Sequence, residues 1–202
     1  MNARTHPAGY TVYEYLLVLT PHEDLRNRII HIRKEFQEKY KTGLQGGKPH
    51  VALLRFSQYR LMEERIVNRL KITAQGLPPV KITLKDYASL PTHSIYIPVT
   101  SKIAIQNISK QVRSGAQRLM RLDAEHKPHF ITEAGIIITR KLLPEKYEKG
   151  WLEYQHRHFT GHFIADGMLL LKRPQGTLAY EIVQRFMFEN LPVNTIQGDL
   201  FS

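Results

Sequence analysis

The first half of the chain shows two alternating spacings of apolar residues, one typical of strands and one typical of helices. Residues 13–19 (YEYLLVL) form a short apolar run rich in aromatic residues, which predicts a strand. Apolar positions then recur every three or four residues over 25–40, as on one face of a helix. A second strand is predicted over 48–56 (KPHVALLRF), a second helix over 61–70 and a third strand over 80–84.

The second half of the chain repeats this order of elements. It predicts a strand, a helix, a strand, a helix and a strand over residues 94–99, 105–120, 134–142, 144–154 and 163–172. A last segment, 181–188, is predicted as a strand, although 180–185 also fits a helix. We therefore predict an α+β fold in which two duplicated lobes, each with an antiparallel sheet, surround a central cleft.

The predicted repeat also indicates how the chain is divided. We expect residues 1–11 to form an N-terminal tail and residues 12–202 to form one two-lobed domain. The first lobe is predicted over about 12–92 and the second over about 93–190, with a C-terminal tail after them. A chain of 202 residues is long enough for two small lobes that share a core.

Charge and composition narrow the classes of function. The formal net charge of +11 favours anionic partners such as nucleic acids. The chain has no cysteine, which excludes disulfides, thiol nucleophiles and thiolate metal sites. It has no apolar run of about 18 residues and no N-terminal apolar run typical of a signal peptide. We therefore expect no membrane span, and we expect the protein to be cytoplasmic and monomeric.

The segment KPHVALLRF contains His50, and its pattern resembles a known signature. It is similar to the first signature strand of the two-histidine phosphoesterases, the superfamily of bacterial 2′-5′ RNA ligases and RNA cyclic phosphodiesterases. In that pattern a histidine is followed two residues later by threonine or serine, once in each lobe. The opening YEYLLVLTP and the segment EKYEKGWLEYQHRHFTGHFIADGMLLLKRP also resemble this family, so the likeness covers roughly residues 12–190.

The resemblance implies a reaction that needs no metal and no cofactor. Two histidines would face each other across the cleft, one taking a proton from the attacking hydroxyl or water and the other giving one to the leaving oxygen. Residues two apart on a strand share a face, so the hydroxyl after each histidine would also point at the phosphate. The implied ligands are RNA or nucleotide phosphates.

The chain departs from this pattern at most of its positions. Ala52 stands where the first hydroxyl is expected. Arg55 follows His50 by five residues and Arg140 follows Gly135 by five, which places the second motif in AGIIITRKL. Gly135 then occupies the position of the second histidine, and an isoleucine two residues later occupies the position of the second hydroxyl residue. Only one of the four motif positions is retained, so we expect catalysis to be weak or lost.

The isoleucine at the second hydroxyl position is Ile137, which we expect to line the cleft with Ala52 and Gly135. Arg55 and Arg140 stand at odd offsets from the motif positions. Strict alternation along each strand therefore predicts that both arginines face away from the cleft.

Two other histidines are alternative partners for His50. KPHFIT repeats the lead-in of KPHVAL, so His129 is one candidate, although Thr132 is then off phase on a strand. His126 is the other candidate and would reach in from the preceding loop. Lys48, Tyr13 and Phe130 are candidate substrate-binding residues, and the basic residues on or near the second-lobe helix could face RNA: Lys102, Lys110, Arg113, Arg118, Arg121 and Lys127.

The histidines in QHRHFTGHF could share a zinc ion, but no carboxylate or cysteine completes a familiar spacing, so we predict no metal. Three functions remain open. The first is a 2′-5′ RNA ligase-like or cyclic phosphodiesterase-like protein that binds phosphates with weak or lost turnover. The second is an active 2′,3′-cyclic phosphodiesterase or 2′-5′ ligase that uses His50 with His129 or His126. The third is a non-enzymatic RNA-binding or structural protein.

Overall fold

Three antiparallel sheets and four α-helices make up the described part of the computed structural model, residues 9–43, 46–90 and 93–192. The strands are β1 Val12–Leu19, β2 Val51–Tyr59, β3 Val80–Lys85, β4 Ala88–Leu90, β5 Ser94–Pro98, β6 His129–Phe130, β7 Gly135–Thr139, β8 Thr160–Ala165, β9 Gly167–Pro174 and β10 Glu181–Met187. The helices are α1 Glu23–Tyr40, α2 Glu63–Gln75, α3 Lys102–Ala116 and α4 Pro144–Tyr154, with a 3₁₀ turn, Arg60–Met62, before α2. The predicted α+β class with antiparallel sheets is confirmed.

The largest sheet has the strand order β10-β9-β1-β2-β6, and α2 and the end of α3 cover one of its faces. On that face the rings of Tyr15 and Phe56 stack with centroids 4.9 Å apart. The Tyr15 hydroxyl donates to Glu63 of α2 at 3.0 Å. The buried Gln58 amide donates to the backbone carbonyl of Leu119, just after α3, at 2.9 Å. We call this face of the sheet the helix-covered face.

The second layer is built from the sheets β4-β5-β7 and β3-β8, which a bridge between Leu84 and Val99 connects. Helices α1 and α4 pack against it. Gly150 of α4 lies so close to α1 that a Cβ there would be 2.7 Å from the Phe36 ring and 3.7 Å from Ile95 of β5. The two layers approach each other along β2 and β7.

Strands from both halves of the chain contribute to each layer. The late strands β9 and β10 complete the sheet of β1 and β2, and β3 pairs along its whole length with β8. The division into sheets therefore does not coincide with a boundary near residue 92. The predicted tails fall mostly outside the described residues, which begin at residue 9 and end at residue 192.

Several elements differ from the sequence predictions. The single strand predicted over 163–172 is two strands, β8 and β9, separated at Asp166. Residues 181–187 form a strand, so the helical interpretation of 180–185 is wrong. Strand β2 begins at Val51, which leaves His50 just before it, and the short strands β4 and β6 were not predicted. Helix α3 ends at Ala116, because the chain then forms a turn in which the Leu119 amide bonds back to the Ala116 carbonyl.

Candidate functional site

A β-bulge in β2 decides which side chains face the second layer. Ala52 pairs with Val18, and Arg55 pairs with Leu16. The two residues of β2 are three positions apart, whereas their partners on β1 are two positions apart, so Leu53 is an extra residue in β2. An extra residue shifts the alternation of side chains by one position. Arg55 therefore shares the face of Ala52, opposite to the helix-covered face. The expectation that Arg55 faces away from the cleft was wrong because of this bulge.

Strand β7 contains a bulge of the same kind. Tyr96 and Ile95 are neighbours on β5, but their partners Ile137 and Thr139 are two residues apart, so Ile138 is the extra residue. Arg140, the exposed residue that follows Thr139, therefore lies on the same face of β7 as Ile137.

The two bulges stand at the same distance from the two motif positions. Leu53 follows His50 by three residues, and Ile138 follows Gly135 by three. This agrees with the register of the internal repeat, in which Arg140 corresponds to the arginine after the first bulge. Like its counterpart, Arg140 lies on the cleft side rather than facing away, for the same physical reason.

His50 lies half-buried immediately before β2. Its Nδ1 is 2.9 Å from the Lys48 carbonyl oxygen, which can only accept, so Nδ1 carries the proton and Nε2 has the free lone pair when the ring is neutral. Burial lowers the pKa of His50, the charges of Arg33 and Arg140 lower it further, and only the Lys48 carbonyl opposes them. The imidazole is therefore neutral at neutral pH, with Nε2 able to accept a proton.

Arg33 of α1 connects the loop before His50 to β7. Its Nε and Nη2 donate to the Ile137 carbonyl at 2.9 and 2.7 Å, and its Nη1 donates to the Gly47 carbonyl at 3.0 Å. Burial and the charge of Arg140 lower the pKa of Arg33 to about 10, so the guanidinium stays charged at neutral pH. Arg33 could not be identified from the sequence, because the helical pattern of α1 does not show which of its arginines bonds to carbonyls of two other segments.

A second group of charged residues adjoins these side chains. Arg173 of β9 lies over the Tyr180 ring, with Cζ 4.6 Å from its centroid, and donates from Nε to Glu14 at 2.7 Å. Burial raises the pKa of Tyr180, whereas Arg173, Arg55 and Arg140 act to lower it. The arginines that follow the two bulges therefore lie in one neighbourhood.

We call Arg33, Arg55 and Arg140 the arginine cluster. Glu14 neutralises Arg173, but no member of the arginine cluster forms an ion pair within the described ranges. The charges of Arg33 and Arg140 thus act on a neutral histidine, and Arg55 and Arg140 are exposed, with no hydrogen bond or ion pair of their side chains in the described part of the chain. Unpaired guanidinium groups are suited to binding a phosphate.

The two alternative histidines lie in different surroundings. His129 of β6 pairs with Arg55, so it shares the face of Arg55 and is beside it in the same sheet rather than on β7. His126 is exposed, and its Nδ1 lies 2.8 Å from Asp123 Oδ2 in the loop before β6. Of the two, only His129 is directed toward the same face as Ala52.

Two of the candidate substrate-binding residues lie on the other side of the sheet. Tyr13 shares the helix-covered face with Tyr15, and its ring is 5.3 Å from Lys172 Nζ. Phe130 pairs with Leu54 on that same face and is covered by Arg113. Lys48, in contrast, is exposed in the loop that leads to His50. Lys48 thus contacts His50 through its carbonyl, and Arg33 connects the same loop to the Ile137 carbonyl. Tyr13 and Phe130 lie on the opposite face of the sheet from Ala52.

Gly135 has no room for a side chain. A Cβ there would be 2.5 Å from the Tyr96 ring and 2.6 Å from the backbone carbonyl of Ile97. The Tyr96 ring fills the space beside the position that corresponds to His50. A histidine at this place requires movement of both Tyr96 and strand β5.

No group of three or more histidine, aspartate or glutamate side chains arranged to hold a metal ion is found among the described residues. The exposed residues His156, His158 and His162 do not converge, since His158 lies near Asp86 at 3.3 Å and His162 pairs with Thr83 on β3. None of the helices in the described ranges is long and apolar enough to cross a membrane.

Comparisons with known proteins identify one matching family and several structures of similar fold. A family model described as the 2′-5′ RNA ligase superfamily matches residues 21–176. The Escherichia coli LigT structure in complex with 3′-AMP has a TM-score of 0.58 at 14% identity, covering 88% of this chain and 98% of LigT. TT0787 of Thermus thermophilus has a TM-score of 0.57 at 14% identity, covering 87% of this chain and 98% of that protein. At such identity these structures show a common fold. No curated protein sequence shows a significant match.

Proposed function

Because the chain belongs to the 2′-5′ RNA ligase superfamily, we propose that it binds the phosphate of RNA or of a nucleotide between β2 and β7, with weak or no turnover. The observation that carries this proposal is the positive charge of Arg33 and Arg140 beside a neutral His50, with Arg55 on the same face of the large sheet as Ala52. The neighbour LigT has been crystallised with 3′-AMP and with NADP⁺, which are both nucleotides. A similar ligand class for this chain is consistent with its net charge of +11.

The roles of the residues follow from their donors and acceptors. Arg55 and Arg140 donate to the phosphate oxygens, since neither guanidinium pairs with a protein carboxylate in the described part of the chain. Arg33 contributes charge but its donors already bind the Gly47 and Ile137 carbonyls, so it positions the loop that carries His50. Nε2 of His50 takes a proton from a hydroxyl or water bound beside the phosphate.

The expected turnover is weak because the partner groups are missing. Each positioned proton-transfer group contributes about 10²–10⁴ in rate. Gly135 supplies no acid opposite His50, and neither Ala52 nor Ile137 has a hydroxyl to orient the phosphate. Binding needs only the guanidinium groups, so it should survive the loss of these residues.

An active enzyme is the second candidate function, and the position of His129 favours it. Its pairing with Arg55 places a second imidazole on the phosphate-facing side of the sheet. In this case His129 would donate the proton to the leaving oxygen while His50 accepts one. The substrate would be a 2′,3′-cyclic phosphate or a 2′-5′ linkage.

A titration with a short oligoribonucleotide ending in a 2′,3′-cyclic phosphate tests the binding proposal. Arg140→Ala and Arg55→Ala should each weaken binding about tenfold or more, because each removes charge-assisted hydrogen bonds to phosphate. Each should also reduce the dependence of log affinity on log salt by about 0.7. The matched control is Arg69→Ala, on the exposed side of α2 behind the sheet. Absence of binding at low salt, or an equal loss in Arg69→Ala, would contradict the proposal.

Turnover of the same oligonucleotide separates the two candidate functions. A protein with weak or no turnover binds the oligonucleotide and leaves nearly all of its cyclic phosphate intact. Robust hydrolysis that both His50→Ala and His129→Ala abolish, while binding persists, would establish the active enzyme. The control His126→Ala should change neither binding nor rate, because that side chain is paired with Asp123.

A further inference from the structure

A cavity of about 570 Å³ lies between α3 and the segment that runs from β6 to β7. Phe130 lines it from the helix-covered face of the large sheet, and no member of the arginine cluster lines it. The cavity therefore does not contain the phosphate site at His50, although it adjoins Gly135 through the ring of Tyr96. Its volume is in the range of pockets that bind small molecules, roughly 300–1,000 Å³.

One wall of the cavity is a positively charged face of α3. Lys102, Lys110 and Arg113 line it, together with Gln106 and Ser109. These positions are spaced by three, four or a sum of such steps, so they project from one side of the helix. None of the three cations forms an ion pair within the described ranges. A single carboxylate, Glu133, lies at the opposite rim, so the wall retains a surplus of positive charge.

The opposite wall is apolar and aromatic. Phe130, Tyr96 and Ile131 line it, and Ile105 closes the floor from α3. The Arg113 guanidinium stacks over Phe130, with Cζ 4.4 Å from the ring centroid. A planar cation over an aromatic ring offers a second flat surface on which an aromatic group can stack. The cavity therefore combines a site for a flat ring with a site for an anion.

We propose that this cavity is a second ligand site, which binds a nucleoside monophosphate. The base lies against Phe130 and Arg113. The phosphate lies at the mouth, where Lys110 and Lys102 reach it. This site goes beyond the proposed function, since neither His50 nor any member of the arginine cluster lines it.

Titration of isotope-labelled protein with AMP, followed by NMR, tests the proposal. It is carried out in the Arg140→Ala background, so that binding at the first site is weakened. AMP should shift the backbone amide signals of Ser109, Lys110 and Phe130. Arg113→Ala and Lys110→Ala should each weaken AMP binding about tenfold, because each removes a charged contact. Arg118→Ala, which removes the same charge from an exposed residue outside the cavity, should leave affinity unchanged.

Inorganic phosphate and adenosine are the two comparison ligands. Each should bind at least tenfold more weakly than AMP, because each makes only half of the contacts. Glu133→Gln should strengthen AMP binding by removing the carboxylate at the rim. Equal affinity for phosphate and AMP, shifts confined to residues around His50, or equal losses in Arg113→Ala and Arg118→Ala would overturn the proposal.

Discussion

At the scale of single residues, Gly135 is the position where we propose that the chain departs most from a two-histidine site. Gly135 is closely packed, since Tyr96 and the Ile97 carbonyl occupy the space that a Cβ would need. The departure is thus part of the packing between β5 and β7. Replacing one residue does not recreate the site, because its neighbours have taken the room that a histidine needs.

Gly135→Ala should therefore destabilise the protein by about 1–3 kcal/mol, as overpacking of a closed region does. Gly135→His should cost more and should not increase turnover. The measurement is the free energy of unfolding in urea. Gly43→Ala is the matched control, because a Cβ at Gly43 meets nothing within 4 Å. A fully stable Gly135→His protein would show that β5 yields easily and that this packing does not exclude the second histidine.

At the scale of elements, the limits of sequence interpretation follow from the two bulges. Helix α4 agrees with its predicted bounds because Pro144 marks its first turn, and β1 and α1 differ from theirs by about two residues or fewer. The bulges could not be predicted. In β2, Leu53 and Leu54 are both buried, so the extra residue leaves no polar residue out of phase. In β7, Ile138 and Thr139 are likewise both buried, although Thr139 is polar. Without knowledge of the bulges, the orientation of both arginines could not be predicted.

The contact between α1 and α4 supplies a prediction at this scale. Glu153 of α4 accepts from Lys39 at 2.6 Å and from Tyr40, and it pairs with Arg157 at 2.5 Å. The Lys39 and Tyr40 hydrogen bonds lower the pKa of Glu153 from 4.5 to about 2. Its folded pKa is thus below its unfolded value, so its contribution to stability is complete above pH 4.5 and is lost as the pH falls through about 2.

Glu153→Gln should accordingly lower the free energy of unfolding at pH 7 by about 1–3 kcal/mol. The difference from the wild-type protein should narrow as the pH is lowered through 4 toward 2. Urea unfolding at several pH values measures it. Glu148→Gln, an exposed glutamate of the same helix, is the control and should have little effect at any pH. A difference that stays constant with pH would show that the carboxylate charge is not the source of the stabilisation.

At the scale of the whole molecule, the two halves of the chain depend on each other. Strand β1 lies between β2 and β9, and β3 has β8 as its only strand neighbour along its length in the described ranges. A fragment of residues 1–92 would therefore expose one edge of β1 and leave β3 without its partner. Such pairings join residues far apart in sequence, for example Tyr13 with Pro174, so they also predict slow folding.

Residues 1–92 and 93–202, produced as separate chains, should each be largely unfolded. Mixed together, they should regain the circular dichroism spectrum of the intact protein, because each supplies strands that the other lacks. The intact chain is the control. Cooperative unfolding of residues 1–92 alone would show that the first lobe is complete without β9 and β10.

The paired bulges also bear on the history of the molecule. One extra residue stands at the same place in each half, three positions after His50 and three after Gly135. A single insertion, copied when an ancestral half-length gene was duplicated, accounts for both with one event. On that account the ancestral unit already had an arginine turned toward its twin, and two copies of a short chain would have assembled the basic cleft as a homodimer. On the same account, the second half would since have lost its histidine and kept its arginine.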